Sequence, residues 1–230
     1  LWKTNLGLYR FFAKNYCMKL VVQADKILKE EFLAAGITEG VSVEWIDNAA
    51  AFMNHKDADA FFDLSFEPDN ERMAVLSQLP GKIIFINCQL PVSQTQFIRI
   101  NAWPTFLKRE IAELAADDEE IKKRAEEVLA ALNRKPMWVE NEPGFVTARI
   151  ATMIINEAYF ALGEGVSTKD EIDTAMKLGT NYPYGPFEWA EKIGLKNVYE
   201  LLLSLSKKDE KYFPAGALVK EIKKNKTGNH

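Results

Sequence analysis

The chain has 230 residues, 47% of them hydrophobic and 27% charged, with a formal net charge of −4. This is globular composition, too apolar for disorder and long enough for one large domain or two modest ones. No apolar run reaches the roughly 20 residues of a membrane helix, and no basic stripe with interleaved aromatics offers itself to nucleic acid, so neither partner is expected.

The first seventeen residues, LWKTNLGLYRFFAKNYC, are basic and aromatic and run into Met18. They lack the long apolar core and small-residue cleavage site of a signal peptide. Residues 1–17 are therefore read as an extension upstream of a natural start at Met18, with a membrane-surface or partner-binding helix as the alternative. Cys17 and Cys88 are the only cysteines. With no paired framework and no CxxC, they point to a reducing, cytoplasmic setting.

From Met18 the pattern alternates strand and helix. Residues 19–23 form a short apolar strand. Residues 26–35 repeat apolar positions at helical spacing and stop at Gly36. A second strand over 41–46 is closed by Asp47, a short helix follows at 49–54, and 60–65 is a third strand. Residues 70–79 are helical, 82–87 a fourth strand and 97–101 a fifth. A long helix with a charged face spans 117–133, and 136–140 supplies a last strand. Near-continuous apolar strands alternating with helices argue for a parallel sheet covered on both faces. The fold class is α/β, a shortened Rossmann-like doubly wound sheet over residues 18–141.

After Glu142 the strand signals stop. Residues 145–163 make a helix apolar nearly all round, as in a helix buried between domains or in a dimer interface. Ser167-Thr168-Lys169-Asp170-Glu171 reads as an N-terminal cap, Ser or Thr with an acidic residue three positions on, opening a helix that runs through Leu178 and is closed by Gly179. The rigid turn Pro183-Tyr184-Gly185-Pro186 leads into a helix ending at Lys192, and another spans 197–205. Residues 142–230 are thus an all-α domain. The cluster Lys220, Lys223, Lys224, Lys226 reads as a solvated helix end.

The order and spacing of several motifs carry a resemblance. They are Pro143-Gly144-Phe145 entering a helix with Arg149, then Glu157-Ala158, Gly165-Val166, Glu171-Ile172-Asp173 with Ala175, and Gly179. Pro183, Gly185-Pro186-Phe187, Ile193-Gly194-Leu195, Pro214, Leu218 and Lys226-Thr227-Gly228 complete the set. In these the second half resembles the C-terminal domain of the 3-hydroxyacyl-CoA dehydrogenases, while residues 18–140 resemble the family by order of elements. The resemblance implies an oxidoreductase fold of fatty-acid metabolism with NAD as cofactor, an acyl-CoA ligand and a homodimer through the helical domain.

The chemistry departs from that pattern. A dinucleotide wants GxGxxG after the first strand, so that backbone and a helix N-terminus meet the pyrophosphate. Here the turn reads Gln23-Ala24-Asp25-Lys26-Ile27-Leu28, with no glycine before Gly36. Asp47 sits where such domains place an acid on the ribose, and also reads as an ordinary strand-end turn residue. The family's base is a histidine oriented by a glutamate, on a strand ending in a Pro-containing segment. In FIRINAWP, alignment on Pro104 gives the histidine position to Ile100, and the only histidines are His55 and His230. Glu110 is the candidate for the orienting glutamate, against a solvated helix carboxylate. The asparagine that holds the substrate carbonyl falls at Ala148. Thr147 lies about 100° around the helix and reads as a poor replacement.

Asn87 and Cys88 resemble the start of the family's Asn-Thr-Ser segment, and with Asn101 they are the candidate substrate-binding residues. A nucleophilic Cys88 would need a nearby base. No metal site is expected. The leading expectation is a family member that has lost its reaction and still binds an acyl-CoA or a partner enzyme. One alternative is a working NAD(P)-linked hydroxyacyl-CoA oxidoreductase in which Glu110 or water handles the proton. Another is a dimeric scaffold whose cleft is filled by Trp103 and Trp138.

Overall fold

The computed structural model describes residues 17–79 and 81–227; the expectations for residues 1–16, Gly228 and His230 fall outside them. A seven-stranded sheet has the order β2-β1-β3-β4-β5-β6-β7. Its strands are β1 (Met18–Gln23), β2 (Val41–Ile46), β3 (Ala60–Asp63), β4 (Ile83–Asn87), β5 (Phe97–Ile100), β6 (Ile111–Ala115) and β7 (Lys135–Trp138). The first five are parallel. β6 runs antiparallel to β5, and β7 parallel to β6.

The apolar runs are explained by burial on both faces. Leu20, Val22, Phe62, Phe85 and Ile98 pack into one core beneath α1 (Lys26–Leu33) and α3 (Glu119–Ala131). Their neighbours Val21, Phe61, Ile84, Ile86 and Phe97 pack into another, with α2 (Asn70–Ser77) and the 3-10 turn Ala49–Asn54. Alternate residues of each strand point to opposite faces, and both faces are dry. The doubly wound, mostly parallel Rossmann-like reading holds.

Strand β6 was not legible in the sequence. Its residues, IAELA, combine alanine and glutamate, both poor strand formers, and only the neighbours β5 and β7 make it a strand. The expected stop at Gly179 is also corrected: the helix continues to Thr180, and Asn181 ends it in the left-handed conformation at φ 55°. Asparagine tolerates that geometry at a helix end.

The rest is helical: α4 (Val146–Gly163), α5 (Lys169–Thr180), α6 (Pro186–Ile193), α7 (Leu195–Ser206) and α8 (Gly216–Thr227). Of the two pairs that the Ser167–Glu171 segment offers, Thr168 and Glu171 form the capping box. One face of α4 buries Ala151, Ile155, Ala158 and Tyr159, while Val146, Ile150 and Phe160 remain exposed. The helical core also takes in Trp103 and Phe106 from the sheet half, which join Phe145, Trp189 and Leu201. Gly144 makes the entry to α4 at φ +75°; a Cβ there would lie 2.9 Å from Arg149 Cγ and 3.1 Å from Leu201 Cδ1. No helix among the described residues is long and apolar enough to cross a membrane.

Candidate functional site

The antiparallel seam between β5 and β6 builds the site. The Asn101 N–H donates to the Glu113 carbonyl at 3.0 Å, which extends the ladder one step past β5 and brings the two side chains together. Both are buried, at 3% and 5% exposure. Asn101 Nδ2 donates to Glu113 Oε2 at 2.7 Å and to Thr147 Oγ1 at 2.9 Å. Thr147 donates its N–H to Glu113 Oε1 at 3.0 Å and its hydroxyl to Oε2 at 2.6 Å. Glu113 therefore caps the first turn of α4, where Phe145 at the N-cap offers no side-chain acceptor, and a carboxylate is favoured at that helix end.

The orientation of the network follows from donor and acceptor chemistry. An ionised carboxylate only accepts, so the Asn101 nitrogen must face Glu113 and its oxygen must face away. That oxygen takes a hydrogen bond from Gln89 Nε2 at 3.1 Å. Gln89 Oε1 is left buried with no partner among the described residues. Asn101, Glu113 and Thr147 form the polar wall of a cavity of about 350 Å³, with Phe106, Ile111 and Met137 as its apolar wall and Arg109 and Glu110 at its rim.

This arrangement corrects three expectations. Ile100 is not at the position facing a glutamate: it is buried in the hydrophobic core and pairs in register with Leu114. Asn101, the next residue along, is the one that faces the buried carboxylate. Glu110 is neither helical nor the inner acid. It precedes β6, is exposed, and pairs with Lys135 at 2.7 Å; that hydrogen bond and charge hold its carboxyl below the usual range. Thr147 reaches the site after all, while Ala148 is buried in the helical core. Glu113 went unread, although a lone acid in an otherwise apolar stretch was a usable signal.

The remaining candidates lie apart. Asn87 ties strand ends together: its Nδ2 donates to the carbonyls of Leu64 and Ala102 at 3.1 and 3.3 Å, and its Oδ1 accepts from the Ala102 N–H at 3.1 Å. Cys88 is buried, with Sγ donating to the Leu90 carbonyl at 3.2 Å, and burial pushes its thiol pKa up. His55, the one histidine among the described residues, lies instead 3.3 Å from Glu44 of β2. Asp47 is exposed just beyond β2. Trp103 belongs to the helical core, and Trp138 is half-buried and donates to Glu126 at 2.8 Å, so neither lines the cavity.

A dinucleotide would sit at the carboxyl ends of β1 and β3, where the strand order reverses. The residues there do not fit one. Asp25 caps α1, its carboxylate accepting the Leu28 N–H at 2.8 Å, so an anion already occupies the helix N-terminus. Gln23 and Asp63 are register partners at the two strand ends. Arg72 of α2 spans them, with Nε to Asp63 Oδ2 at 2.6 Å, Nη2 to Asp63 Oδ1 at 2.5 Å and Nη2 to Gln23 Oε1 at 2.8 Å. The two strand ends at the crevice are thus bridged by the chain's own polar and charged groups.

Buried Arg99 holds the site to the sheet. Its guanidinium donates to the carbonyls of Gln89 at 3.0 Å, Cys88 at 3.3 Å and Glu142 at 2.8 Å, and to Asn141 Oδ1 at 2.9 Å. It also lies 5.1 Å from the Phe145 ring centre. The Gly144 N–H donates to the Gln89 carbonyl at 2.6 Å. One cation thus fixes the end of β4, the linker and the entry to α4, and with them Gln89 and Thr147. Like Glu113, it is a charged residue inside an apolar strand, FIRI, and the sequence reading passed over it.

Comparison with known proteins points in one direction. Residues 144–230 match the family model of the 3-hydroxyacyl-CoA dehydrogenase C-terminal domain. The chain is 33% identical over 153 residues to a 3-hydroxybutyryl-CoA dehydrogenase of Bradyrhizobium diazoefficiens, a stretch covering 66% of this chain and 48% of that protein. It is 39% identical over 104 residues to a 3-hydroxybutyryl-CoA dehydrogenase of Clostridioides difficile, covering 44% of this chain and 37% of that protein. The matches to these two curated relatives thus span about half of their length or less. Among solved structures, the (S)-3-hydroxybutyryl-CoA dehydrogenase PaaH1 from Ralstonia eutropha is similar in fold. The TM-score is 0.69 at 21% identity, covering 91% of this chain and 94% of that one.

Proposed function

The chain belongs to the 3-hydroxyacyl-CoA dehydrogenase family, and from that membership we propose that it binds the acyl part of a thioester in the Asn101 cavity without oxidising it. The observation that carries this reading is the Asn101–Glu113 contact. Removing a hydroxyl proton needs a base that titrates near the working pH, and a carboxamide has no such equilibrium. Glu113 is the titratable group in the network, and it is engaged by three donors.

The second support is the misfit at the strand ends. NAD is the cofactor implied by the family, and at these strand ends its phosphates would meet the carboxylates of Asp25 and Asp63, of which Asp25 already takes up the Leu28 N–H at the start of α1. The chain's own residues supply what a binding function needs: a polar wall to orient a carbonyl, an apolar wall for a short chain, and a fixed frame held by Arg99. The same reading takes exposed Val146, Ile150 and Phe160 on α4 as a dimer face, which sedimentation at micromolar protein checks directly.

Calorimetric titration with acetoacetyl-CoA, and separately with NADH, tests the proposal. The thioester should bind and NADH should not. Micromolar NADH binding together with thioester-dependent loss of its absorbance would restore the dehydrogenase reading, with Glu113 as the group to examine next.

A further inference from the structure

We propose that Arg109 makes this cavity select a ligand carrying an anion at its outer end, an inference that rests on the acyl-binding reading above. The cavity has a direction. Glu113 and Ile111 lie two residues apart on β6, so they share a face about 7 Å apart, and Met137 is the register partner of Glu113 on β7. The lining therefore passes from the polar group of Asn101, Glu113 and Thr147, along Ile111, Met137 and Phe106, to Arg109 at the rim.

The charges near that rim are unevenly used. Glu110 is neutralised by Lys135 at 2.7 Å. The inner carboxylate of Glu113 is taken up by Asn101 and Thr147. The Arg109 guanidinium lies 4.5 Å from the centre of the Phe106 ring and makes no ion pair among the described residues. A guanidinium resting on an aromatic ring keeps its edge donors free, and their fork matches a carboxylate or phosphate. The shared chemistry is an anionic group at the outer end of an acyl ligand. It is supplied either by the carboxylate of a free acyl acid or by the phosphates of CoA.

The test compares hexanoate, hexanoyl-CoA and the uncharged hexanoyl-pantetheine, by calorimetry on wild type, Arg109→Gln and Arg109→Lys. Arg109 is exposed, and thermal melting of each variant confirms that it is folded. At least one anionic ligand should bind roughly tenfold more tightly than the pantetheine ester. Arg109→Gln should abolish that preference and Arg109→Lys should keep part of it. The anionic ligand that loses affinity in Arg109→Gln identifies the source of the charge. Equal binding of all three ligands to wild type overturns the anion selection while the acyl reading stands. A preference that survives in Arg109→Gln overturns the role of Arg109. Binding of none of the three overturns both readings.

Discussion

Across the seam between β5 and β6, the Asn101 side-chain nitrogen stands 2.7 Å from Glu113 Oε2, and the Thr147 hydroxyl donates to the same oxygen at 2.6 Å. A buried carboxylate from the sheet thereby caps a helix of the other half of the molecule, with a carboxamide locked between them. The site and the junction are the same structure, so changes here read out in both stability and binding.

Glu113→Ala removes the acceptor for Asn101 Nδ2, the Thr147 N–H and the Thr147 hydroxyl. Leaving buried donors unmet, with the charge-assisted bonds lost, should cost about 3 kcal/mol. Urea denaturation measures it, and a loss under about 1 kcal/mol would mean that the network is not structural. The first turn of α4 should also exchange its amides faster.

Asn101→His would put an imidazole against Glu113. A neighbouring carboxylate favours the protonated ring, so its pKa should lie above the ordinary value of about 6.5. The sign follows: with the folded pKa raised, the added stability is present below about pH 6.5 and lost as pH rises through the folded value. Proton NMR titration of this variant with and without Glu113→Gln separates the carboxylate's effect from that of burial, and an equal pKa in the two would show that position 101 does not face the carboxylate in solution.

Arg99→Met strips donors from the carbonyls of Cys88, Gln89 and Glu142. The expected loss is about 3–4 kcal/mol, with faster hydrogen exchange over residues 141–147. Arg99→Lys should rescue little, because an ammonium cannot span acceptors that a planar fork reaches.

Cys88 should resist thiol reagents at neutral pH until the chain unfolds, since burial both hides it and pushes its thiol pKa above the ordinary 9.0. The unfolded chain then ionises first. Stability should fall as pH rises past that ordinary value, and the fall should be smaller in Cys88→Ala. Paired denaturation curves at pH 8 and pH 10 check this.

Two glycines should respond oppositely to alanine. At Gly185 a Cβ would lie 2.3 Å from Asp173 Cγ and 2.4 Å from its Cβ. Asp173 in turn accepts the Phe187 and Glu188 N–H groups at 2.8 and 3.1 Å at the start of α6. Gly185→Ala should cost about 2–3 kcal/mol. Gly179 lies within α5, where a Cβ meets nothing within 4 Å, and Gly179→Ala should gain up to about 1 kcal/mol. Thermal melts of the two variants should shift in opposite directions.

What the sequence determined by itself was local and periodic. Continuous apolar runs such as IIFI in β4 specify a strand buried on both faces. Thr168 with Glu171 specifies a helix start, and the glycine and proline spacings of residues 143–194 carry the family's helical domain. The missing phosphate loop and the missing histidine were also legible, because each is a statement about which residues are present. Tertiary structure alone decided which polar groups meet. Strand β6 exists because β5 and β7 flank it, and that pairing sets the register that puts Glu113, rather than Glu110, against Asn101. Thr147 points into the site because α4 begins one residue before it and is capped from the sheet. Arg72 and Arg99 find their partners across gaps of 49 and 43 positions. Such long-range contacts follow from the packing of whole elements, and no local spacing encodes them.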